Sequence, residues 1–195
     1  MRIVTQGARV ATSAGRPKRA SRELLQEAAF ELFQHRGYRN TSVEQIARTA
    51  GFSRATFFNT FSSKAELFWL ETDALVVALK KYLEEELADP TPRNLRDALL
   101  GFAAGFESHR IPWALQNYRL LEAAEDLIAS GASRALELNR VFVRYLQHTE
   151  QCDEVVLHAR AAATTAMLVS ALLGWIDAGV GRGAFGEHLG RALIH

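Results

Sequence analysis

Four side chains able to hydrogen-bond with nucleic acid lie close together between positions 53 and 59. They are Ser53, Arg54, Thr56 and Asn59. An arginine such as Arg54 can donate two hydrogen bonds to a guanine edge or pair with a phosphate. The amide of Asn59 can form paired bonds with adenine, and Thr56 can contact a phosphate or a thymine methyl group. These residue types at this spacing predict contacts with DNA.

No motif in the sequence indicates an enzyme or a metal site. The chain has no glycine-rich phosphate loop, no nucleophile elbow, and neither an HExxH nor a CxxC motif. His148 and Cys152 lie four residues apart and could begin a metal site, although a simple surface pair is the expected arrangement. The acidic neighbours of Cys152 would not activate its thiolate as a redox sensor. We expect no catalytic activity, metal or cofactor.

Two short helices are predicted around the hydrogen-bonding cluster. Thr41 with Glu44, three residues later, forms a capping box that opens the first of them. Gly51 permits a tight reversal, and Ser53 then caps a second short helix that ends near Thr60. Two short helices joined in this way predict a helix-turn-helix, whose second helix enters the major groove.

The side chains expected to face DNA come from the second short helix and from residues beside helix N-termini, where unpaired amides bind phosphate. Phe57 and Phe61 are expected to pack inward. Arg54 and Lys64 taken singly could be ordinary solvated cations, but their placement on one predicted face favours DNA contact. From the residues alone, the expected DNA-contacting set is Thr41, Ser42, Ser53, Arg54, Ala55, Thr56, Asn59, Thr60 and Lys64.

Charge is unevenly distributed along the 195 residues. Residues 1–64 carry 11 Lys and Arg against 4 Glu, whereas the remaining 131 residues carry 12 against 18 acidic residues. A basic first third is typical of a segment that meets a polyanion, with uneven scatter as the alternative. The single cysteine and the absence of a secretory signal favour the cytoplasm. The longest uncharged stretch has 16 residues, too few to span a membrane.

Helical periodicity continues through the rest of the chain. A first helix is predicted from about Pro17 to Gly37. A capping box at Ser63 and Glu66 predicts a fourth helix that runs to about Ala88. Further helical patterns cover residues 92–108, 112–130, 133–150, 154–178 and 184–194. No stretch shows the alternation of a strand, so the predicted fold class is all-α.

These elements predict a flexible basic tail over residues 1–16, a helix-turn-helix domain over 17–63, and a helical regulatory and dimerisation domain over 64–195. Residues 15–18, Gly-Arg-Pro-Lys, resemble the core of an AT-hook, in which arginine lies in an A·T-rich minor groove. The alternative is an unordered arm with nonspecific, salt-dependent affinity.

Residues 161–176 carry no charge and are rich in small side chains, so this helix must be buried. It is predicted either to pair with the preceding helix, so that each of two subunits contributes two helices to a four-helix bundle, or to be a central helix of the monomer core. The expected dimer contacts are Phe142, Tyr145, Leu146, Met167, Leu168, Ala171 and Trp175.

Aromatic and aliphatic side chains of the fourth helix and of residues 92–130 are candidates for a ligand pocket. They are accompanied by few polar groups, which is the mixture found in drug-sized sites and also in ordinary cores. The expected ligand contacts are Trp69, Phe102, Phe106, His109, Trp113, Asn117, Tyr118 and Leu121.

The stretch from about Leu24 to Leu70 resembles the DNA-binding domain of the tetracycline-repressor (TetR) family. The matching segments are AAFELF at 28–33, GY at 37–38, TSVEQIA at 41–47, AG at 50–51, SRATFFNTF at 53–61 and SSKAELF at 62–68. The joint occurrence of these segments at this spacing is highly specific, although it covers only about a quarter of the chain.

The resemblance implies an Ω-shaped homodimer of about nine to ten helices per subunit that binds a palindromic operator, usually as a repressor released by a small-molecule effector. It also implies that Phe58 faces DNA together with the residues named above. The family usually has Tyr at the position of Phe58, whose hydroxyl contacts phosphate, and often Tyr or His at the position of Thr60. Both departures predict altered DNA affinity or base preference.

A second interpretation stays open at the level of sequence. The chain could be a ligand-independent DNA-binding or architectural protein, or a regulator controlled by a protein partner. In each case we expect a protein that binds double-stranded DNA and no membrane.

Overall fold

A computed structural model of the protein describes residues 18–106, 111, 113–179 and 181–193. The predicted tail over residues 1–16, its AT-hook-like segment and His109 fall outside the described residues. The described residues form nine α-helices and one 3₁₀ helix and contain no strand. The prediction of an all-α fold is therefore confirmed.

The N-terminal domain consists of three helices: α1 (Lys18–Arg36), α2 (Val43–Thr49) and α3 (Arg54–Phe58). Gly37 follows α1 with a φ of 80°, and Gly51 links α2 to α3 with a φ of 76°. Glycine adopts this left-handed backbone without the steric penalty that other residues meet. The three helices share a core that includes the buried side chains Leu25, Ala29, Phe33, Ile46 and Phe57.

The capping box that opens α2 lies one residue later than the sequence analysis predicts. Ser42, not Thr41, is the N-cap, and its hydroxyl accepts a hydrogen bond from the amide of Gln45 at 3.2 Å. The Gln45 side-chain oxygen accepts one from the amide of Ser42 at 2.7 Å. The predicted pairing of Thr41 with Glu44 is wrong because the extended N-cap backbone falls on Ser42.

The predicted fourth helix is two elements. A 3₁₀ helix covers Lys64–Trp69 and leads into α4, which covers Leu70–Leu87. The predicted capping box at Ser63 and Glu66 is wrong, since the Ser63 side chain makes no capping hydrogen bond. The Glu66 carboxylate pairs instead with Arg134, far along the chain. A contact with a distant part of the chain thus replaces the predicted capping contact at the start of the 3₁₀ helix.

The larger domain continues with five further helices. These are α5 (Leu95–Ala104), α6 (Trp113–Gln116), α7 (Ala124–Thr149), α8 (Glu154–Asp177) and α9 (Phe185–Ala192). The predicted helix over 112–130 is wrong, because α6 is a single turn and residues 117–123 separate it from α7. The predicted break at residues 130–131 is also wrong. Gly131 lies inside α7, where a Cβ atom would stand only 3.0 Å from the Trp69 indole.

The 3₁₀ helix and α4 join the two domains. The 3₁₀ helix contacts α1 on one side and α7 on the other, and α4 contacts both α5 and α7. Helix α8 packs against α7 and α9, and α9 also packs against α5. The 3₁₀ helix therefore links α4 and α7 to the N-terminal domain.

Candidate nucleic-acid interface and internal cavity

One face of helix α3 packs against the core of the N-terminal domain, and the other face is open to solvent. The Ser53 hydroxyl accepts a hydrogen bond from the amide of Thr56 at 3.1 Å, which makes Ser53 the N-cap as predicted. Phe57 and Phe61 are buried, so their predicted inward packing is confirmed. The side chains on the open face are Arg54, Ala55, Phe58 and Asn59, with Thr56 half-buried beside them.

Arg54 is held in place by a neighbouring acid and a neighbouring ring. Its Nε atom lies 2.9 Å from Oε1 of Glu44, and its guanidinium carbon lies 5.3 Å from the centre of the Phe58 ring. Both partners of the ion pair are exposed, and such pairs contribute little to stability. Arg54 can therefore leave Glu44 for a phosphate or a base at small cost.

Thr41 does not lie on the open face. Its side chain is 1% exposed, and its hydroxyl donates a hydrogen bond to the carbonyl oxygen of Gly37 at 2.8 Å. The prediction that Thr41 contacts DNA is wrong because this burial removes the hydroxyl from the surface. The hydroxyl of Thr60 donates to the carbonyl oxygen of Thr56 at 2.8 Å, while Ser42 is exposed at the start of α2.

Lys64 fastens the 3₁₀ helix to the turn between α1 and α2. Its ammonium donates hydrogen bonds to the carbonyl oxygens of Tyr38, at 2.6 Å, and Thr41, at 2.9 Å. Burial lowers the pKa of Lys64, and the carboxylate of Asp126 partly offsets this effect. Most of the hydrogen-bonding capacity of Lys64 is used within the domain, and its contact with phosphate stays a prediction.

Tyr38 connects the N-terminal domain directly to α7. Its hydroxyl donates a hydrogen bond to Oδ2 of Asp126 at 2.7 Å. Burial, reinforced by this bond and by the charge of Asp126, raises the pKa of Tyr38 well above its ordinary value, so the hydroxyl keeps its proton. The two partners are 88 positions apart in the chain, so local sequence patterns do not predict this contact.

A second cluster, which we call the Arg134 clasp, ties the 3₁₀ helix and α4 to α7 and consists of Arg134, Glu66, Asp73 and Trp69. The Arg134 Nη2 atom lies 2.8 Å from Oε2 of Glu66 and 2.8 Å from Oδ2 of Asp73. The guanidinium also stands 4.9 Å from the centre of the Trp69 ring. Only 13% of the Arg134 side chain is exposed, so these charge-assisted bonds form largely away from water.

A cavity of about 100 Å³ lies inside the larger domain. Its walls come from α4, α5, α7, α8 and α9, together with Phe106 and Ile111. Among the described residues that line it, Thr72 alone carries a polar side chain, and none carries a charge. The cavity is thus suited to an apolar molecule.

Only some of the predicted ligand-contacting residues line this cavity. Phe102 and Phe106 line it, as does Leu168, which the sequence analysis places in a dimer interface. The walls from α8 and α9 were missed because the apolar faces of those helices also fit a dimer contact. The predicted contacts that do not line the cavity are Trp69, Trp113, Asn117, Tyr118 and Leu121.

Each of these five side chains lies elsewhere in the structure. The Trp69 indole N–H donates to the Ser130 hydroxyl at 2.8 Å, and the Tyr118 hydroxyl donates to Asp177 at 3.4 Å. Asn117 donates to the carbonyl oxygen of Trp113 at 2.8 Å. Trp113 is largely exposed, and Leu121 is buried in the core. None of these five side chains lines this cavity, and ligand contact at their positions stays a prediction.

Most of the predicted dimer contacts belong to the core of one chain. Phe142, Tyr145, Leu146, Ala171 and Trp175 are buried, so they cannot meet a second subunit. The Tyr145 hydroxyl donates to the carbonyl oxygen of Arg93 at 2.7 Å, and the Trp175 indole donates to that of Gly183 at 2.9 Å. Met167 is half-buried. The predicted helices are apolar on two faces, and periodicity alone does not tell which face turns inward.

The opposite face of α8 is apolar and exposed. It carries Val155, Ala159, Ala162, Ala166, Ser170 and Gly174. By length and composition alone α8 could cross a membrane, although most of its most apolar window lies open in a single chain. An exposed stripe of this kind in a water-soluble protein is expected to be covered by a partner.

Two comparisons relate this chain to known proteins by sequence. Residues 25–69 match the family described as bacterial regulatory proteins, tetR family. Over 144 residues the chain is 31% identical to the HTH-type transcriptional regulator TcmR of Streptomyces glaucescens. This match covers 71% of the present chain and 64% of TcmR, a little under two thirds of its length.

A comparison of structures agrees with the sequence matches. The chain is similar to FadR of Thermus thermophilus, a TetR family transcriptional repressor solved in complex with lauroyl-CoA, with a TM-score of 0.59. The two share 26% sequence identity, and the similarity covers 88% of this chain and 91% of that one. The likeness extends over both the N-terminal and the larger domain.

Proposed function

We propose that the chain is a sequence-specific DNA-binding transcriptional repressor of the TetR family, a proposal supported by the family match at residues 25–69 and by the similarity to TcmR and FadR. The observation that carries the proposal is α3, which is capped at Ser53 and anchored by buried Phe57. Its open face presents Arg54 and Asn59, whose side chains read guanine and adenine edges. The proposed partner is a palindromic DNA operator, and the proposed location of the protein is the cytoplasm.

The proposed active form is a homodimer that buries the exposed face of α8. Small side chains at Ala159, Ala162 and Ala166 let two helices approach closely. Two-fold symmetry would then place two copies of α3 in successive major grooves, about 34–36 Å apart. A second protein subunit, not lipid, is the proposed cover for this face.

The proposed control is a small-molecule effector in the internal cavity. The lauroyl-CoA complex of FadR supports this role for the larger domain. Helix α4 lines the cavity and continues the 3₁₀ helix that contacts α1. An effector that favours a different tilt of α4 would change the separation of the two α3 helices and weaken their fit to both half-sites.

Arg54→Ala tests the proposal directly. A specific duplex is first selected from a random library with the full chain, and affinity is then measured by fluorescence anisotropy at several salt concentrations. We expect the variant to lose about 5- to 150-fold in affinity for the selected duplex, because each bidentate base contact contributes about 1–3 kcal/mol. Affinity for a scrambled duplex should fall much less, since it depends mainly on phosphate contacts.

Arg191→Ala is the matched control, because Arg191 is an exposed arginine on α9. It should bind both duplexes as the unmodified chain does. Failure of the selection to enrich any sequence would contradict the proposal. Equal losses for the two arginine variants would do so as well.

Phe58→Tyr tests the departure from the family pattern at α3. The Phe58 side chain is 46% exposed, so a hydroxyl at its end would reach solvent or a phosphate without repacking the core. One added hydrogen bond should raise operator affinity about 2- to 10-fold. The same anisotropy titration measures the gain. Unchanged affinity would show that the ring does not approach the DNA backbone.

A further inference from the structure

Glu44 is an acidic residue within the basic helix-turn-helix. Residues 37–64 contain four Lys and Arg and one acidic residue, Glu44. Its side chain lies in the first turn of α2 and is 54% exposed. A carboxylate on a surface that approaches DNA is repelled by the phosphates. Glu44 therefore opposes DNA binding unless a cation accompanies it.

The cation beside Glu44 is Arg54, the first residue of α3. Its Nε atom lies 2.9 Å from Oε1 of Glu44, and its guanidinium carbon lies 5.3 Å from the centre of the Phe58 ring. The guanidinium thus contacts a carboxylate of α2 and a ring one turn further along α3. Because the carboxylate is close to Nε, the two Nη groups are left to donate side by side to O6 and N7 of a guanine.

The two helices that carry this ion pair are fixed to each other by the core of the domain. Ile46 of α2 and Phe57 of α3 are both fully buried. Across the turn, the amide of Phe52 donates a hydrogen bond to the carbonyl oxygen of Ala47 at 2.7 Å. The backbone positions of the pair are therefore set before DNA arrives, which lowers the entropy lost when the arginine binds a base.

We infer that Glu44 is a positioning residue that determines base specificity, because its carboxylate and the Phe58 ring hold Arg54 against a guanine edge and away from the phosphates. This inference rests on the proposed function, in which α3 lies in the major groove. In water the pair opens at small cost, since both side chains are exposed. In the groove, a Glu44 carboxylate that lost Arg54 would face the phosphates without its cation, so the paired orientation is favoured.

The test is a ratio of two dissociation constants, measured by anisotropy with the full chain. The base pair read by Arg54 is identified as the G·C pair of the selected duplex at which Arg54→Ala loses most preference. The ratio divides the Kd of a duplex with A·T at this pair by the Kd of the selected duplex. In Glu44→Ala it should fall about 5-fold, a typical effect for side chains in contact. Affinity for a scrambled duplex should rise about 2-fold, because a carboxylate near the phosphates is removed.

Further variants make the result specific to the cluster. Adding Glu44→Ala to Arg54→Ala should leave the ratio of Arg54→Ala unchanged, since Glu44 acts through Arg54. Phe58→Leu removes the ring and should lower the ratio about 2- to 5-fold, whereas Phe58→Tyr keeps the ring and should preserve the ratio. Glu31→Ala is the matched control, because Glu31 is an exposed acid on α1, and it should keep the ratio of the unmodified chain.

A merely structural role of Glu44 would weaken binding to both duplexes equally, so an unchanged ratio in Glu44→Ala would overturn the inference. A further fall in the ratio when Glu44→Ala is added to Arg54→Ala would do so too, because Glu44 would then read a base itself. The inference also fails if Arg54→Ala keeps its preference at every G·C pair. Each of these results, obtained with an enriched sequence, leaves the proposed function standing, whereas failure to enrich any sequence contradicts both.

Discussion

Replacing Ala166 by arginine is expected to convert the proposed dimer into monomers of 21.7 kDa and to weaken operator binding by at least about 100-fold. Ala166 lies in the middle of the exposed, uncharged face of α8. A guanidinium there would have to be buried without a partner if two such faces met. Once the subunits separate, each α3 binds its half-site alone and the gain from linked binding is lost.

Light scattering gives the mass, and anisotropy on the selected duplex gives the affinity. Ala74→Arg is the matched control, because Ala74 is an exposed alanine on α4 and not part of the α8 face. It should stay a dimer with the affinity of the unmodified chain. A dimeric Ala166→Arg protein with full affinity would show that α8 does not form the interface.

Arg134→Met is expected to lower the free energy of unfolding by about 3 kcal/mol. The substitution keeps much of the side-chain length but removes the cation that Glu66 and Asp73 share. Two carboxylates would then face each other without their counter-ion. Because 37% of the Asp73 side chain is exposed, water relieves part of this penalty, and we expect a value at the lower end of those for broken buried pairs.

Urea unfolding at neutral pH measures this loss. Arg119→Met is the matched control, since it breaks the exposed pair of Arg119 with Asp177 and should change stability by at most about 1 kcal/mol. Combining Arg134→Met with Glu66→Gln and Asp73→Asn should recover part of the stability, because no unpaired charge remains. Equal effects of Arg134→Met and Arg119→Met would show that the clasp does not stabilise the domain junction.

The cavity and the clasp meet on one turn of α4. Thr72 lines the cavity, and the next residue, Asp73, binds Arg134 of α7. This proximity supplies a physical route from the proposed effector to the 3₁₀ helix and, through Lys64 and Tyr38, to the helix-turn-helix.

Local signals in the sequence were sufficient for the N-terminal domain. Glycines with positive φ, a serine cap at Ser53 and the inward aromatic pair Phe57 and Phe61 all act within a few residues, so their pattern predicts the structure they form. The errors there were displacements of one residue, such as the capping box at Ser42. The burial of Thr41 was missed because its acceptor, the carbonyl oxygen of Gly37, depends on the packing of α1.

In the larger domain, local sequence signals did not predict which helix faces are buried. The absence of charge over residues 161–176 predicted that part of the α8 surface is covered. It did not predict that Trp175 faces the core while Ala166 faces solvent. Likewise Phe102 and Phe106 were recognisable as pocket candidates, whereas the cavity walls from α8 and α9 gave no local sign of that position.

The amino-acid sequence by itself determined the all-helical fold, the helix-turn-helix and the side chains that α3 offers to DNA, because capping, turn formation and periodicity are short-range effects. Only the tertiary structure decided which apolar face is core and which is open, where the cavity lies, and that Arg134 of α7 binds Glu66, 68 positions earlier in the chain. Those features depend on contacts between distant segments, whose energies arise only once the helices have packed together.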